Sequence, residues 1–374
     1  MRPAFYPGKM KAIAITPGKA GARLVTRPEP QLTADSQVKL QVVRVGICGT
    51  DREEIGGGRA DAPAGASELV IGHEMMGKVA AVGKAVTRVK PGDYAVFTVR
   101  RGCGACANCA MQRADMCQTG NYTERGIRGR DGYQTEFVVD EEIFVTRVPA
   151  ELAGVGVLLE PLSIVEKAID EALRLQRTRD PEAGATPAWY HGRRALVAGL
   201  GPVGLLAALV LRLRGCEVFG LDIVDAASAR PQWLAAIGGQ YINGRGGAPP
   251  QGMNLVLDAS GFAALEFKLL DALAPNGMYV LTGIPGGDQP LQVPGAELLR
   301  RLVLVNQVMA GSVNAARGHF QMAVDDLAVA RLRWGTHVAG LVTHHHTPEQ
   351  FIAAPNHPAD GAIKEVVEWA PATA

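Results

Sequence analysis

Residues 194–204 read RALVAGLGPVG, a short apolar run that ends in glycines. Gly199, Gly201 and Gly204 match the pattern G-x-G-x-x-G, and a helix-like stretch continues from Val203 to Arg214. The first glycine allows a tight turn, the second lets the backbone approach a pyrophosphate, and the third lets helix and strand pack closely. The helix N-terminus also favours phosphate charge. This context predicts a dinucleotide-binding turn; the alternative is a glycine-rich turn in an ordinary βαβ unit.

The next predicted strand, Glu217 to Asp222, ends in a carboxylate at the spacing typical of dinucleotide-binding units. Such a carboxylate accepts hydrogen bonds from the ribose hydroxyls of the adenosine and repels a 2′-phosphate. The residues that follow directly, Ile223, Val224 and Asp225, include no Arg or Lys. Asp222 therefore predicts NAD in preference to NADP, and Arg230, further along the next helix, is the residue that complicates this preference.

Strands and helices alternate after residue 194, with a predicted helix over 226–237 and buried strands over 254–258 and 278–281. This order predicts an α/β fold with a parallel sheet covered by helices on both faces. The first third is different and reads as short strands separated by turns. The predicted strands there are 38–45, 76–83, 94–99 and 136–139.

Helices are predicted over 163–173 and 319–332, a polar loop over 177–191, and a returning strand over 362–367. We therefore predict two domains. A doubly wound dinucleotide-binding domain takes residues 188–317, and a mainly β domain takes residues 1–187 together with 318–374.

The overall charge and composition exclude several functional classes. The chain has 374 residues, and 38 Lys and Arg balance 37 Asp and Glu, which leaves no basic surface for nucleic acid or anionic membrane. No run reaches the ~18–20 apolar residues of a membrane span, and the N-terminus lacks the apolar core of a signal peptide. We expect residues 1–9 to be a ragged extension, with Met10 as an alternative start, and the protein to be cytoplasmic.

Four of the six cysteines lie close together, at positions 103, 106, 109 and 117. Thiolates at this spacing can share one tetrahedral ion, and four soft ligands leave no open coordination position. The loop 100–120 is therefore predicted to hold a structural zinc ion through Cys103, Cys106, Cys109 and Cys117. An iron–sulfur cluster or a pair of disulfides are the alternatives.

Further metal-type side chains are scattered through the chain: Cys48 after a strand, His73 and Glu74 before another, and Glu160 before a helix. Taken singly, each is most simply a buried packing or hydrogen-bonding residue. Their presence as a set beside a nucleotide-binding domain is what favours a second metal site.

With these residues assembled, the chain from Met10 onwards resembles the zinc-dependent medium-chain alcohol dehydrogenases. The resemblance rests on Cys48-Gly49-Thr50-Asp51, Gly72-His73-Glu74, the four-cysteine loop and Gly199–Gly204, in that order. Within the family the chain is most similar to the glucose 1-dehydrogenases. The segments that favour this branch are Arg100 to Cys106, Glu160 to Lys167, Gly311 to Asn314, and His319-Phe320.

The resemblance implies a GroES-like, mainly β catalytic domain joined to a Rossmann domain. It also implies that Cys48, His73 and Glu160 hold a catalytic zinc ion, with Glu74 as an exchanging or nearby ligand. Thr50 would contact the reacting hydroxyl and relay its proton, and Glu124, Glu160 and Asn314 would bind the substrate. The implied cofactor contacts are Gly199, Leu200, Gly201, Pro202, Val203, Gly204, Asp222, Thr282, Gly283, Ile284, Ser312, Val313, Asn314 and Lys364.

The implied reaction is hydride transfer from C1 of an aldose to the nicotinamide, giving a lactone, with two zinc ions per chain. Val99 is a departure, because several glucose enzymes carry a sugar-binding Asn at that place. The alternatives are a polyol, threonine or simple alcohol dehydrogenase, or an NAD(H)-binding regulatory or structural protein without activity. Relatives commonly form dimers or tetramers, so we expect a homo-oligomer.

Two remaining features are given simple interpretations. The run His344-His345-His346 could suggest a third metal site, but we predict that it is a solvated loop. Cys216 is predicted to be a buried packing residue.

Overall fold

The computed structural model describes residues 8–185, 188–286, 290–354 and 356–370. Residues 1–7, most of the predicted extension, lie outside this range, as do residues 186 and 187 of the predicted loop. The chain divides into two compact units. The first contains residues 1–160, 314–328 and 342–374, and the second contains residues 161–313 and 329–341.

The strands, in chain order, are β1 (Lys9–Ile15), β2 (Ala22–Pro28), β3 (Gln37–Ile47), β4 (Leu69–Val70), β5 (Glu74–Val82), β6 (Tyr94–Phe97), β7 (Arg100–Arg101), β8 (Thr123–Arg125), β9 (Gly129–Arg130), β10 (Phe137–Glu141), β11 (Val145–Val148), β12 (Arg194–Ala198), β13 (Glu217–Asp222), β14 (Gln240–Asn243), β15 (Met253–Asp258), β16 (Leu273–Leu281), β17 (Val308–Gly311), β18 (Val342–His346) and β19 (Lys364–Glu368).

The α-helices are α1 (Gly49–Ile55), α2 (Ala107–Ala110), α3 (Leu159–Arg179), α4 (Pro181–Ala185), α5 (Pro202–Leu213), α6 (Ala229–Ala236), α7 (Ala263–Leu269), α8 (Gly295–Leu304), α9 (Arg317–Trp334), α10 (Thr336–Ala339) and α11 (Pro348–Ala353). Among the described residues, no helix has the length and apolar character needed to cross a membrane.

The first boundary between the units falls at residues 160/161, earlier than the predicted 187/188. The reason is that α3 is longer than predicted, and that all of it after Glu160 belongs to the second unit, where it is held by hydrogen bonds. The Gln176 side chain donates to the Asn276 carbonyl at 2.8 Å, and the Tyr190 hydroxyl donates to the Ile169 carbonyl at 2.7 Å. The helix also continues to Arg179 and is followed by α4, so the first part of the predicted loop is helical.

The first unit is built on a largely antiparallel sheet, seven-stranded within the described residues, in the order β11-β6-β5-β3-β19-β18, with β10 also paired to β3. Its core includes the fully buried Leu40, Val45, Phe97 and Tyr133. This register positions the site, since Gly46 of β3 lies opposite Glu74 and Ile47 lies opposite Glu365. The ends of three strands that are distant in sequence therefore bring Cys48, Glu74 and Lys364 to one place.

Gly46 is required at that junction. A Cβ atom there would lie 2.7 Å from Lys364 Cε and would also contact Glu74 Oε2. Any larger residue would force the two buried charged side chains apart.

The second unit has a six-stranded parallel sheet, counted over the described residues, in the order β14-β13-β12-β15-β16-β17. Gly199 has φ +83°, which favours glycine, and a Cβ on Gly204 would collide with the Gly199 carbonyl. Pro202 opens α5, where its missing N–H removes no helical bond. The predicted strand, turn and helix are thus confirmed, as is the α/β fold class.

The prediction of a solvated loop at the three histidines is wrong. His344, His345 and His346 lie in β18, which pairs in parallel with β19. His345 Nδ1 lies 2.7 Å from Glu368 Oε1, and His346 Nε2 lies 2.9 Å from Glu365 Oε2. Each of these two histidines therefore bonds a carboxylate of the neighbouring strand. Cys216 is fully buried, as predicted, with Sγ 3.3 Å from the Tyr190 carbonyl.

Candidate active site

The centre of the candidate site is a thiol facing an imidazole. Cys48 caps the N-terminus of α1, and its Sγ lies 3.2 Å from His73 Nε2. Asp51, in the first turn of α1, accepts from the Cys48 backbone N–H at 2.8 Å, and its other oxygen lies 3.9 Å from His73 Nδ1. Asp51 thus fixes the loop that carries the thiol, and its second oxygen lies near the far nitrogen of the imidazole without a hydrogen bond to it.

Electrostatics at this pair favour a bound cation. Burial raises the pKa of the Cys48 thiol, and Asp51 raises it further. Burial alone would lower the pKa of His73, but the charges of Cys48 and Asp51 outweigh it and raise this pKa above its ordinary value. Both groups would therefore be protonated near neutral pH unless a positive charge replaced the protons, as a metal ion does.

Glu74 lies beside the pair and is ion-paired to Lys364, which is 1% exposed. The Lys364 ammonium also donates to the Ile47 carbonyl at 3.0 Å. Lys364 was predicted to bind the cofactor, and the structure places it in this buried ion pair. The ligand atoms of Cys48, His73 and Glu74 all lie within 4.8 Å of one another.

Glu160 is the fourth predicted ligand, and it lies in the first turn of α3. It is 8% exposed, and burial raises the pKa of its carboxyl to about 7, with His73 opposing that shift. Among the described residues, the set within 4.8 Å contains Cys48, His73 and Glu74, and Glu160 is not in that set. The structure therefore brings three of the four predicted ligands together, with the fourth close enough to interact electrostatically.

The donor set fits a zinc ion. A thiol, an imidazole and carboxylates are the ligand types that zinc takes in proteins. Four acidic side chains are buried here with one ammonium: Cys48, Asp51, Glu74 and Glu160 face Lys364. Buried negative charge of this kind needs a counter-charge, and a divalent cation supplies it.

Two predicted substrate contacts lie together in the same unit. The Asn314 amide donates to Glu124 Oε1 at 2.7 Å, and Asn314 adopts a left-handed backbone conformation with φ +63°. Its Oδ1 accepts from the Ala315 backbone N–H at 2.9 Å, which holds the side chain in place.

Thr50, the second residue of α1, is half-buried two positions after Cys48. Val99 is 3% exposed, so the departure from the family pattern is a buried apolar side chain.

The four-cysteine loop is the second candidate metal site. Cys103, Cys106, Cys109 and Cys117 have their sulfur atoms within 4.8 Å of one another, and all are free thiols, which disagrees with the disulfide alternative. Cys103 Sγ and Cys109 Sγ are 3.9 Å apart. Sulfurs about 2.3 Å from a tetrahedral zinc ion lie about 3.8 Å from each other, so the thiols are spaced for zinc.

The second unit carries the glycine loop and most of the other predicted cofactor residues. Asp222 accepts from the Leu200 backbone N–H at 2.8 Å, so its carboxylate braces the loop that precedes α5. Arg230 Nη1 lies 3.9 Å from Asp222 Oδ2. Arg245, which the sequence did not single out, donates to the Ile223 carbonyl at 3.0 Å. One guanidinium, that of Arg230, therefore lies near the carboxylate that was predicted to select NAD, and a second, that of Arg245, bonds the backbone carbonyl of the next residue.

Two further loops of this unit carry predicted cofactor residues. The Thr282 hydroxyl donates to the Asp258 carbonyl at 2.6 Å, with Gly283 bonded to the same carbonyl at 3.1 Å and Ile284 exposed. The Val313 carbonyl accepts from the Lys167 ammonium at 2.8 Å, and Ser312 Oγ lies 3.4 Å from Glu171 Oε2. The residues at these contacts are thereby held by backbone and side-chain bonds.

Comparison with known proteins agrees with this geometry. Residues 153–369 match the family model described as glucose dehydrogenase C-terminus, and residues 34–150 match the alcohol dehydrogenase GroES-like domain. Glucose 1-dehydrogenase 2 of Vulcanisaeta moutnovskia is 39% identical over 342 residues, which cover 89% of this chain and 92% of that protein. Glucose 1-dehydrogenase of Thermoproteus tenax is 38% identical over 322 residues, covering 86% and 88%.

Among solved structures, the chain is similar to the glucose dehydrogenase of Haloferax mediterranei in complex with NADP, Zn and gluconolactone. The two share 31% identity with a TM-score of 0.84, over 96% of this chain and 99% of that one.

Proposed function

The chain belongs to the glucose dehydrogenase family of zinc-dependent, NAD(P)-linked medium-chain alcohol dehydrogenases, and on that premise we propose that it oxidises an aldose at C1 to the lactone. The observation that carries the proposal is the convergence of the Cys48, His73 and Glu74 ligand atoms within 4.8 Å. The bond between Glu124 and Asn314 in the same unit supports a polyhydroxylated substrate.

The chemistry divides between the cofactors and the chain. Zinc, when bound, supplies a positive charge that favours ionisation of the reacting hydroxyl, and the dinucleotide accepts the hydride. Cys48, His73, Glu74 and Glu160 would hold the metal, and Asp51 fixes the backbone that carries Cys48. Thr50 carries the hydroxyl proton away, while Glu124 accepts a hydrogen bond from a sugar hydroxyl and so aligns C1.

A substrate panel with NAD⁺ tests the proposal. We expect kcat/KM for aldoses such as glucose, galactose and xylose to exceed that for ethanol or threonine by about 100-fold. Two hydrogen bonds to sugar hydroxyls, at about 1.5 kcal/mol each, amount to roughly 3 kcal/mol of discrimination. Higher kcat/KM for a simple alcohol, an acyclic polyol or threonine would assign the enzyme to another branch of the family.

The non-enzymatic alternative, an NAD(H)-binding regulatory or structural protein, requires a site that cannot hold its metal. Elemental analysis distinguishes the two readings: the dehydrogenase binds two zinc ions per chain, and the binding protein binds one.

We propose NAD as the preferred dinucleotide because Asp222 ends β13, and a carboxylate at the end of this strand in dinucleotide-binding units bonds the ribose hydroxyls and repels a 2′-phosphate. In Asp222→Ala we expect KM for NAD⁺ to rise about tenfold, the cost of one charge-assisted hydrogen bond. KM for NADP⁺ should fall, since Arg230 loses its carboxylate partner. Steady-state kinetics with both dinucleotides measure the ratio.

Asp225→Ala is the matched control, because that carboxylate lies in the same turn and bonds the Ala227 backbone N–H. Its cofactor ratio should stay within about twofold of wild type. An unchanged ratio in Asp222→Ala would show that this carboxylate does not discriminate between the dinucleotides.

We propose that the protein forms a homodimer or tetramer through the second unit. Leu299 and Val303, on one face of α8, are 65% and 76% exposed, and β17 forms one edge of the six-stranded sheet. Leu298 and Leu302, the residues directly before these two, pack against the core. The apolar stripe of α8 therefore extends beyond the part that packs against the core, and an exposed apolar patch of this kind is typical of an interface.

Sedimentation tests this interface. The double variant Leu299→Glu with Val303→Glu is expected to sediment as a monomer, whereas Leu332→Glu, an exposed leucine on α9, should keep the wild-type mass. A wild-type protein that sediments as a monomer would refute the proposal.

We further propose a reducing cytoplasm as the location, since all six cysteines are free thiols.

A further inference from the structure

Arg100 is a buried cation that the catalytic scheme does not use. It lies in β7 directly opposite Glu124 of β8, and it is 8% exposed. Its Nε donates to Glu124 Oε1 at 3.1 Å, and its Nη2 lies 3.0 Å from the same oxygen. The guanidinium therefore holds the carboxylate that is proposed to bind the sugar.

The contacts of Glu124 are unevenly divided between its two oxygens. Oε1 accepts from Arg100 Nε and from the Asn314 amide, and Arg100 Nη2 lies 3.0 Å from the same oxygen as an ion-pair contact. No described residue bonds Oε2, so this oxygen remains available to a ligand. One oxygen is thus fixed by two hydrogen bonds and an ion pair, and the other can accept a hydroxyl without reorientation. A site preorganised in this way has a lower entropic cost of binding.

Arg100 is itself held by the four-cysteine loop. Its Nη1 donates at 2.8 Å to the carbonyl of Asp115, which lies between Cys109 and Cys117. Its guanidinium also stacks 4.0 Å from the centroid of the Tyr122 ring. Arg100 therefore has three fixed contacts: a loop carbonyl, an aromatic face and the Glu124 carboxylate.

Resting on the proposed function, we infer that Arg100 is a positioning residue for sugar recognition. It connects the folded four-cysteine loop to the Glu124 carboxylate and so keeps that carboxylate in the orientation that binds the sugar. It acts through Glu124 and does not touch the reacting atoms. Its loss should weaken sugar binding and leave hydride transfer almost intact.

The test is a comparison of Arg100→Ala with wild type. We expect KM for the aldose to rise about tenfold or more while kcat and KM for the dinucleotide change less than about threefold. Guanidinium ion at millimolar concentration should lower the sugar KM again. Arg100→Lys should remain defective, because an ammonium cannot bond the Asp115 carbonyl, the Tyr122 face and Glu124 together. The variant should retain two zinc ions, and cobalt-substituted protein should keep its thiolate absorption bands.

Arg101→Lys is the matched control, since Arg101 is the next residue, is 6% exposed and pairs with Asp140 rather than Glu124. It should lower the melting temperature and leave the sugar KM within about twofold. A double-mutant cycle with Glu124→Ala decides the mechanism: if Arg100 acts through Glu124, replacing it in the Glu124→Ala background should have no further effect on KM.

The inference would be overturned if the effects of the two substitutions on the sugar KM were additive in the cycle. It would also be overturned if the sugar KM rose in Glu124→Ala but stayed unchanged in Arg100→Ala. An unchanged KM in Glu124→Ala would overturn it as well, because Glu124 would then not bind the sugar. Each of these results would concern only how the sugar is bound, and the proposal that the wild-type protein oxidises an aldose would still stand. Absence of aldose turnover by the wild type would instead refute the proposed function.

Discussion

Replacing Cys48 with alanine is expected to reduce aldose oxidation by about 10⁴-fold. Loss of the thiolate removes one of the three ligand atoms that lie within 4.8 Å of one another. A bound metal contributes several kcal/mol of charge stabilisation at the reacting oxygen, and ~5.5 kcal/mol corresponds to four orders of magnitude in rate. His73→Ala should have a similar effect, because its Nε2 faces the same point.

The measurement combines turnover with metal content. Zinc should fall from two ions per chain to one in Cys48→Ala, with the remaining ion in the four-cysteine loop. Cys216→Ala is the matched control, a buried thiol that packs against the Tyr190 carbonyl in the second unit. It should keep both zinc ions and its turnover. Wild-type activity in Cys48→Ala would refute the catalytic site.

The sequence predicted those parts of the molecule that depend on local pattern. Gly199 and Gly204 are each required by the local backbone geometry of the turn, and β13 spans the predicted residues 217–222. The start of α3 was predicted four residues too late, because Pro161 was taken to precede the helix. Proline is tolerated in the first helical turn, where its missing N–H has no helical partner. Glu160 is consequently a helical residue.

The parts that the sequence did not predict depend on pairing between distant strands. The ion pair of Glu74 with Lys364 follows from the registers of β3 with β5 and of β3 with β19, over nearly 300 residues. The three histidines were predicted to lie in a loop for the same reason, because the residues of β18 carry no local sequence pattern that indicates pairing with β19. Arg100 gave one usable signal, a pair of arginines just before the first cysteine of the loop.

The structural zinc ion gives the second large expected effect. Replacing Cys109 with serine should remove the loop zinc, leave one ion per chain, and make the segment 100–120 sensitive to trypsin, with cleavage after the half-exposed Arg113. Closed four-thiolate sites contribute folding energy directly. A loss of ~3 kcal/mol of local stability would raise the open population, and the cleavage rate with it, by at least about 100-fold.

This loop has little apolar core of its own, which is why the effect should be large. Met111 and Met116 are 67% and 46% exposed, and α2 is a single turn without a buried residue. Met111→Ser is therefore the control: it changes the same loop at a position that is not a ligand and should keep both zinc ions. Because the loop also supplies the Asp115 carbonyl to Arg100, Cys109→Ser should raise the sugar KM as Arg100→Ala does. A variant that loses the ion yet resists trypsin and binds sugar normally would mean that the metal does not hold the loop.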